Sequence, residues 1–265
     1  MIEIKEINNI EDRHIYNEKL LEFEKIFKYP IGQDYFTIDH GNDYFRFFDY
    51  IGKPFFFIVE KNNQIIAVSA AVLREIRTSL NKPKEDVWYL CDLKIHPDHQ
   101  GQFILQKLLR YAFPKYSRIS RKIYAITMND NNSYQNRVVN LAYKLPYLGM
   151  EFKEIIDFYL LDVSQGGPAK SLLSRNKDSF VSLVGVKDLI LQSNGLSLPI
   201  LHLSKNPSYR KDKDISAQKK YMFCNMNSSQ ESITFHKNKF IPFASASLIA
   251  NFSPSNWEFI ESCDL

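Results

Sequence analysis

The chain has 265 residues, enough for one large domain or two smaller ones with a substantial core. Hydrophobic residues make up 45% and charged residues 24%, as in globular proteins, and no stretch approaches the roughly 20 apolar residues that span a bilayer. The net charge of +4 is too weak to choose between an anionic small ligand and nucleic acid.

Two features predict a cytoplasmic protein. The first residues, MIEIKEINNIEDR, contain no basic region followed by an apolar run, so no secretory signal is expected. The three cysteines, Cys91, Cys224 and Cys263, are an odd number without the spacing of a metal site. That usage favours a reducing compartment.

The first quarter of the chain predicts both strands and helices. Residues 2–7 alternate as a strand does, and residues 9–27 have helical spacing that ends before Pro30. A short helix is predicted between the glycines of 41–52. Residues 54–76 form two apolar runs around the turn KNN, which predicts a β-hairpin.

The next part of the chain predicts a strand, a helix, a strand, a helix and a strand pair. These elements lie at 86–95, 101–113, 121–128, 133–145 and 150–163. Ser133 is the predicted N-cap of the second of these helices. The element order predicts an α+β (mixed α/β) domain with a central, largely antiparallel sheet flanked by helices.

Residues 164–170 contain adjacent glycines and a proline without periodicity, which predicts a linker. It would join a domain at 1–163 to a smaller β-rich domain at 171–265. Five strand-like segments follow, at 180–186, 198–203, 221–227, 245–252 and 257–262. The charged loop between them mixes both signs, and a nucleic-acid-binding patch would need more basic residues interleaved with aromatic ones.

The segment 91–105, CDLKIHPDHQGQFIL, runs from a predicted strand through a proline turn into a helix. Asn136 and Tyr143 lie seven residues apart on a later predicted helix, and GMEF follows at 149–152. With the element order, these features resemble the GNAT N-acetyltransferase superfamily over about residues 1–163. That family's loop has the form Arg/Gln-x-x-Gly-x-Gly/Ala. No family is recognised for 171–265.

The resemblance implies binding of acetyl-CoA or another acyl-CoA, without a metal. A helix N-terminus attracts a pyrophosphate through its unpaired amides and partial positive charge. The strand before the loop would pair its main chain with the pantetheine, while the strand at 123–128 splays away to admit the thioester. The implied cofactor-binding residues are Leu93, Ile95, Gln100, Gly101, Gln102, Phe103, Ile104, Leu105 and Asn136.

The loop departs from the family at two positions, where Phe103 and Leu105 replace glycines. Their amides can still donate hydrogen bonds, but their side chains come close to the phosphates. If both side chains point into the core, binding is preserved. If either points at the phosphates, binding is lost.

The resemblance also implies direct transfer to a primary amine in a ternary complex. Tyr143 is the implied general acid, and Asp92 is the leading candidate for the general base. Tyr44 and Phe48 are interpreted as exposed members of an aromatic run that contact the acceptor. Each residue also has a purely structural interpretation: the aromatic rings would pack in the core, and Asp92 would cap or pair at the end of a strand. His96 and His99, three residues apart, are too few for a metal site.

Two alternatives to an acyl-CoA-dependent enzyme stay open. One is a non-catalytic GNAT-like scaffold whose phosphate loop is degenerate. The other is an acyltransferase whose donor is an acyl carrier protein. The acceptor is a small-molecule or peptide amine, and the sequence leaves a homodimer open.

Overall fold

The computed structural model describes residues 2–79, 83–130, 136–162, 180–198, 200–204 and 220–264. The chain forms two compact units. The first comprises Met1–Phe27, Asp43–Ala125 and Ala250–Asn256, and the second comprises Lys28–Asn42, Ile126–Ile249 and Trp257–Leu265. The predicted linker at 164–170 and Ser133 lie outside the described residues, so a domain boundary at the linker stays a prediction.

The first unit is built on a sheet whose strands pair in the order β1, β4, β5, β6 and β7. These are Ile2–Ile7, Lys53–Lys61, Gln64–Ile76, Glu85–Ile95 and Ile123–Met128, the last of which continues into the second unit. All neighbours are antiparallel except β6 and β7. The predicted hairpin is confirmed: Asn62 and Asn63 have φ of 52° and 63°, as a tight turn of this type requires.

Among its described residues, the first unit contains three α-helices: α1 (Ile10–Glu24), α2 (Arg46–Ile51) and α3 (Ile104–Tyr116). The side chain of Asn9 caps α1 by accepting a hydrogen bond from the Asp12 amide at 2.7 Å. The core is rich in aromatic residues, and α2 contributes Phe47 and Phe48 to it. Many of the phenylalanine and tyrosine side chains that are abundant in the sequence therefore pack in the core.

The second unit contains a sheet with the strand order β13, β8, β12, β11 and β9 and a smaller sheet with the order β10, β3 and β2. Its helices are α4 (Arg137–Tyr143) and α5 (Gln230–Lys237). Its strands are β2 (Tyr29–Ile31), β3 (Asp34–Asp39), β8 (Glu151–Asp162), β9 (Phe180–Ser182), β10 (Asp188–Leu191), β11 (Ile200–Leu203), β12 (Lys220–Met226) and β13 (Ala244–Ala250).

The α+β class and the largely antiparallel sheet are confirmed, but some elements differ from the sequence reading. The α4 helix begins at Arg137 rather than at 133, because Asn136 caps it. Residues 257–262 do not form a strand, since the Ile260 amide closes a turn onto the Trp257 carbonyl at 2.9 Å. The strands β2, β3 and β10 and the helix α5 were not predicted, because their apolar patterns are short.

Part of the element order of the first half recurs in the second half of the chain. A parallel strand pair followed by a helix and a strand occurs as β6, β7, α4 and β8, with α3 between the two paired strands, and again as β11, β12, α5 and β13. Within the second unit, the amide of Asn129 after β7 donates to Ser245 of β13 at 2.9 Å. The amide of Asn227 after β12 donates to Ile155 of β8 at 2.8 Å. Each repeat therefore borders the final strand of the other.

Candidate active site

Strand β6 carries a β-bulge. Val68 pairs with Lys94 and Ala70 with Cys91, so two residues of β6, Asp92 and Leu93, oppose one residue of β5. Asp92 has a left-handed backbone with φ of 53°. Bulges of this kind re-aim side chains and end strand pairing, which makes them common next to active sites.

The pairing of β6 with β7 ends just before the bulge, at Leu90 and Ala125. Within the part of the chain that the structure describes, residues 91–95 have no ladder partner in β7. Leu93 is exposed and Ile95 is half-buried. The main chain of β6 thus offers an unpaired edge at the positions implied for the pantetheine.

Buried charges hold the bulge. Asp92 accepts a hydrogen bond from the Tyr44 hydroxyl and forms an ion pair with Lys94. The Lys94 Nζ also lies 2.5 Å from Glu24 Oε2, and both side chains are almost fully buried. Burial lowers the pKa of Lys94, while the charge of Glu24 acts in the opposite direction. One buried ammonium between two carboxylates therefore ties α1 to the bulge.

The loop after β6 is shaped by His96 and Gly101. The amides of Asp98 and His99 donate to the ring Nδ1 and the carbonyl of His96, at 3.3 and 2.9 Å. Gly101 has φ of 78°, where a side chain would be strained. The Gln102 side chain donates to the Asp98 carbonyl at 3.2 Å. These contacts form a tight turn that leads directly into α3.

The start of α3 leaves its amides unbonded. The first hydrogen bond of the helix runs from the Lys107 amide to the Phe103 carbonyl at 3.1 Å. The amides of residues 101–106 make no hydrogen bond within the described ranges of the chain. Because α3 has 13 residues, its N-terminus carries the partial positive charge of a helix dipole. The loop and helix start can therefore bind an anion.

Phe103 and Leu105 differ in their surroundings. Phe103 adopts the left-handed conformation, with φ of 57° and ψ of 26°, that glycine adopts without strain. Its side chain is 69% exposed, whereas Ile104 is buried and Leu105 is half-buried. The condition that both side chains point into the core is therefore not met. The loop keeps the backbone shape of a glycine position but carries an exposed ring there.

Asn136 and Tyr143 lie at the two ends of α4 in the second unit. The Asn136 Oδ1 accepts from the amides of Val138 and Val139, both at 3.0 Å, so this side chain serves as a helix cap. Tyr143 is 56% exposed, and its hydroxyl accepts a hydrogen bond from the Phe152 amide at 3.4 Å. The tyrosine hydroxyl thus keeps its own proton available for donation.

Tyr44 and Phe48 are buried, so the prediction that they are exposed is wrong. Their rings lie 5.8 Å apart, and Phe48 packs edge-on against Phe56 at 5.1 Å. The spacing of an aromatic run does not show which rings a core will cover. Tyr44 instead supports the bulge through its hydrogen bond to Asp92.

Sequence reasoning missed Glu24 and Lys94. Their pairing joins α1 to β6 across about 70 residues, and no spacing pattern in one sequence predicts such a contact. The only local hint is the charged pair Asp92 and Lys94 near the end of β6.

Another buried carboxylate, Asp157 of β8, lies in the second unit. Its Oδ2 accepts from Ser232 Oγ at 2.9 Å and from Asn227 Nδ2 at 2.8 Å, and lies 3.4 Å from His236 Nε2. The serine, histidine and aspartate of this cluster are not arranged as a catalytic triad. Ser232 is fully buried and bonds to the carboxylate rather than to the histidine. The cluster fastens α5 to β8.

The comparisons with known proteins agree with this fold. Residues 18–137 match the sequence model of the Acetyltransferase (GNAT) family. The match indicates a GNAT acetyltransferase domain in this part of the chain. No curated protein sequence matches the chain significantly. None of the helices in the described ranges is both long and apolar enough to cross a membrane.

The structure is similar to a tandem GNAT protein from the clavulanic acid biosynthesis pathway, with 8% identity, 94% of this chain and 98% of that chain covered, and a TM-score of 0.52. The ribosomal-protein-S18-alanine N-acetyltransferase of Escherichia coli is 14% identical over 58% of this chain and 81% of its own, with a TM-score of 0.36. Arabidopsis thaliana Naa50, in complex with the bisubstrate analogue CoA-Ac-MVNAL, is 12% identical over 63% of this chain and 93% of its own, with a TM-score of 0.37. At 8% identity, the similarity to the tandem GNAT protein shows a shared fold alone.

Proposed function

We propose that the protein is an N-acyltransferase that transfers an acetyl group from acetyl-CoA to a primary amine. The observation that carries this proposal is the set of unbonded amides at 101–106, which opens α3 within the GNAT domain. A diphosphate is the kind of ligand that such a helix start binds. The unpaired edge of β6 after Leu90 supports a place for the pantetheine beside it.

The proposed reaction needs a neutral amine, whose nitrogen attacks the thioester carbonyl. A carbon–nitrogen bond forms, the carbon–sulfur bond breaks, and the amine loses a proton to a base. Tyr143 would donate the proton that the leaving thiolate needs, and its exposed hydroxyl supports that role. Asp92 as the base remains a prediction. Its contacts with Lys94 and Tyr44 support a role in holding the bulge, with water as the base.

Calorimetry with acetyl-CoA and a thiol-release assay over a panel of amines test the proposal. We expect saturable acetyl-CoA binding and release of free CoA thiol that depends on the amine. Small amines and peptides with free N-termini should be compared, since both acceptor classes fit the proposal. Failure of acyl-CoAs of every chain length to bind would refute it.

Phe103 and Leu105, standing where the family has glycine, favour two further candidates. A non-catalytic scaffold would bind neither acyl-CoA nor an acyl carrier protein. An enzyme with a carrier-protein donor would transfer the acetyl group from the acylated carrier and ignore acetyl-CoA. Swapping the donor in the same amine assay separates the three. A cytoplasmic location remains a prediction.

A further inference from the structure

Phe103 is the one phenylalanine among the described residues that is exposed, at 69%. The structure records no contact of its ring with another aromatic ring or a cation within the same residues. Its neighbour Ile104 is buried and anchors the start of α3, so the fold does not use the Phe103 ring to hold the helix.

Two features make Phe103 unfavourable for the folded chain alone. A large apolar ring lies in water, and a residue with a Cβ adopts the left-handed backbone. At Gly101, two residues earlier, the same loop has its other positive φ, and there the residue is glycine. Strain of this kind at a ligand-binding loop indicates a role toward a ligand.

We propose that the Phe103 ring stacks on the adenine of the donor, so that this loop selects donors that carry a nucleotide. The inference rests on the proposed function. The amide of Phe103 is itself one of the unbonded amides at 101–106. A diphosphate held there brings the adenosine of CoA within reach of an adjoining side chain. An aromatic face beside anion-binding amides fits a ligand that combines a phosphate with a flat ring.

The test compares acetyl-CoA with acetyl-4′-phosphopantetheine, a base-free donor that lacks the adenosine, its 3′-phosphate and one phosphate of the diphosphate. Phe103→Ala should raise the KM for acetyl-CoA about tenfold, the lower range of what one base–aromatic stack contributes. The KM for the base-free donor should not change. Phe103→Trp should restore the wild-type KM for acetyl-CoA. Tyr111→Ala, which removes another exposed ring of α3, is the matched control and should leave both KM values unchanged.

A binding measurement makes the test independent of turnover. Adenosine 3′,5′-bisphosphate should bind the wild type about ten times more tightly than Phe103→Ala, by the same stacking contribution. Phe103→Leu keeps an apolar side chain without a flat face and should behave like Phe103→Ala. It therefore replaces the alanine variant if that variant does not fold.

Three results would overturn the inference. An unchanged or lower KM for acetyl-CoA in Phe103→Ala would show that the ring is idle or obstructs the site, while the proposed function stands. An equal rise in KM for both donors would place the ring on the pantetheine side. Absence of transfer from acetyl-CoA in the wild type would refute the proposed function, and this inference with it.

Discussion

The substitution Asp92→Asn tests whether the carboxylate at the bulge holds the strand or removes a proton. Asparagine adopts the left-handed backbone readily, so the φ of 53° adds no new strain. Lys94 keeps Glu24 at 2.5 Å but loses one of its two buried carboxylates. Removing one partner of a buried ion pair costs about 3–5 kcal/mol, and because one carboxylate remains we expect a loss of about 3 kcal/mol.

Urea unfolding measures that loss, and steady-state kinetics across pH separates the two roles. If Asp92 positions the bulge, the KM for acetyl-CoA rises, kcat falls less than about tenfold, and the shape of the pH profile is kept, because the loss lies in binding geometry rather than in proton transfer. If Asp92 is the base, kcat falls about 100-fold or more and the acidic limb of the profile disappears.

The control is Asp49→Asn, which removes an exposed ion pair with Arg13 at 2.9 Å. Such surface pairs contribute less than about 1 kcal/mol, so unfolding should change little. An unfolding free energy of Asp92→Asn equal to that of the wild type would refute the reasoning about the buried charges. A collapse of kcat with unchanged KM would refute the positioning role.

Two further predictions concern titration and proton transfer. Burial, with the nearby charge of Lys187, lowers the pKa of His202 from 6.5 to about 3, so the unfolded chain binds the extra proton first as pH falls. The stability from His202 is full above pH 6.5 and declines toward pH 3 by about 5 kcal/mol. Acid unfolding of His202→Gln should lack this decline, while the exposed His14→Gln should keep it. Identical pH curves for the two variants would contradict the assignment. Tyr143→Phe should lower kcat about 100-fold with little change in the KM for acetyl-CoA, because only the proton donor is removed. Unchanged turnover in pre-steady-state assays would exclude Tyr143 as the acid.

Local patterns predicted the parts of the fold that local chemistry determines. Asn62 and Asn63 mark the hairpin because asparagine tolerates a positive φ. The loop from His96 to Phe103 was located by its glycine and the apolar stripe of α3. The burial of Tyr44 depends on packing between segments distant in sequence, so no spacing rule predicts it.

The same holds for the candidate site, where local features were predictable and features that depend on packing were not. The sequence places the anion-binding loop and shows its two departures from the family pattern. It does not show that Phe103 is exposed, because that depends on which face of the loop the core covers. The sequence also does not show that the side chain of Asn136 caps α4, since the helix was predicted to start three residues before Asn136.

The position of β13 has a consequence for synthesis of the protein. In the second unit this strand, Ala244–Ala250, lies beside β8, and the Phe243 amide donates to the Phe158 carbonyl at 2.9 Å. The ribosome must therefore add about 90 residues after β8 before that edge is covered, which takes on the order of ten seconds. During this interval the nascent chain presents an open, apolar strand edge, the kind of surface that holding chaperones recognise. A gene fragment that ends at residue 163 would make that exposure permanent.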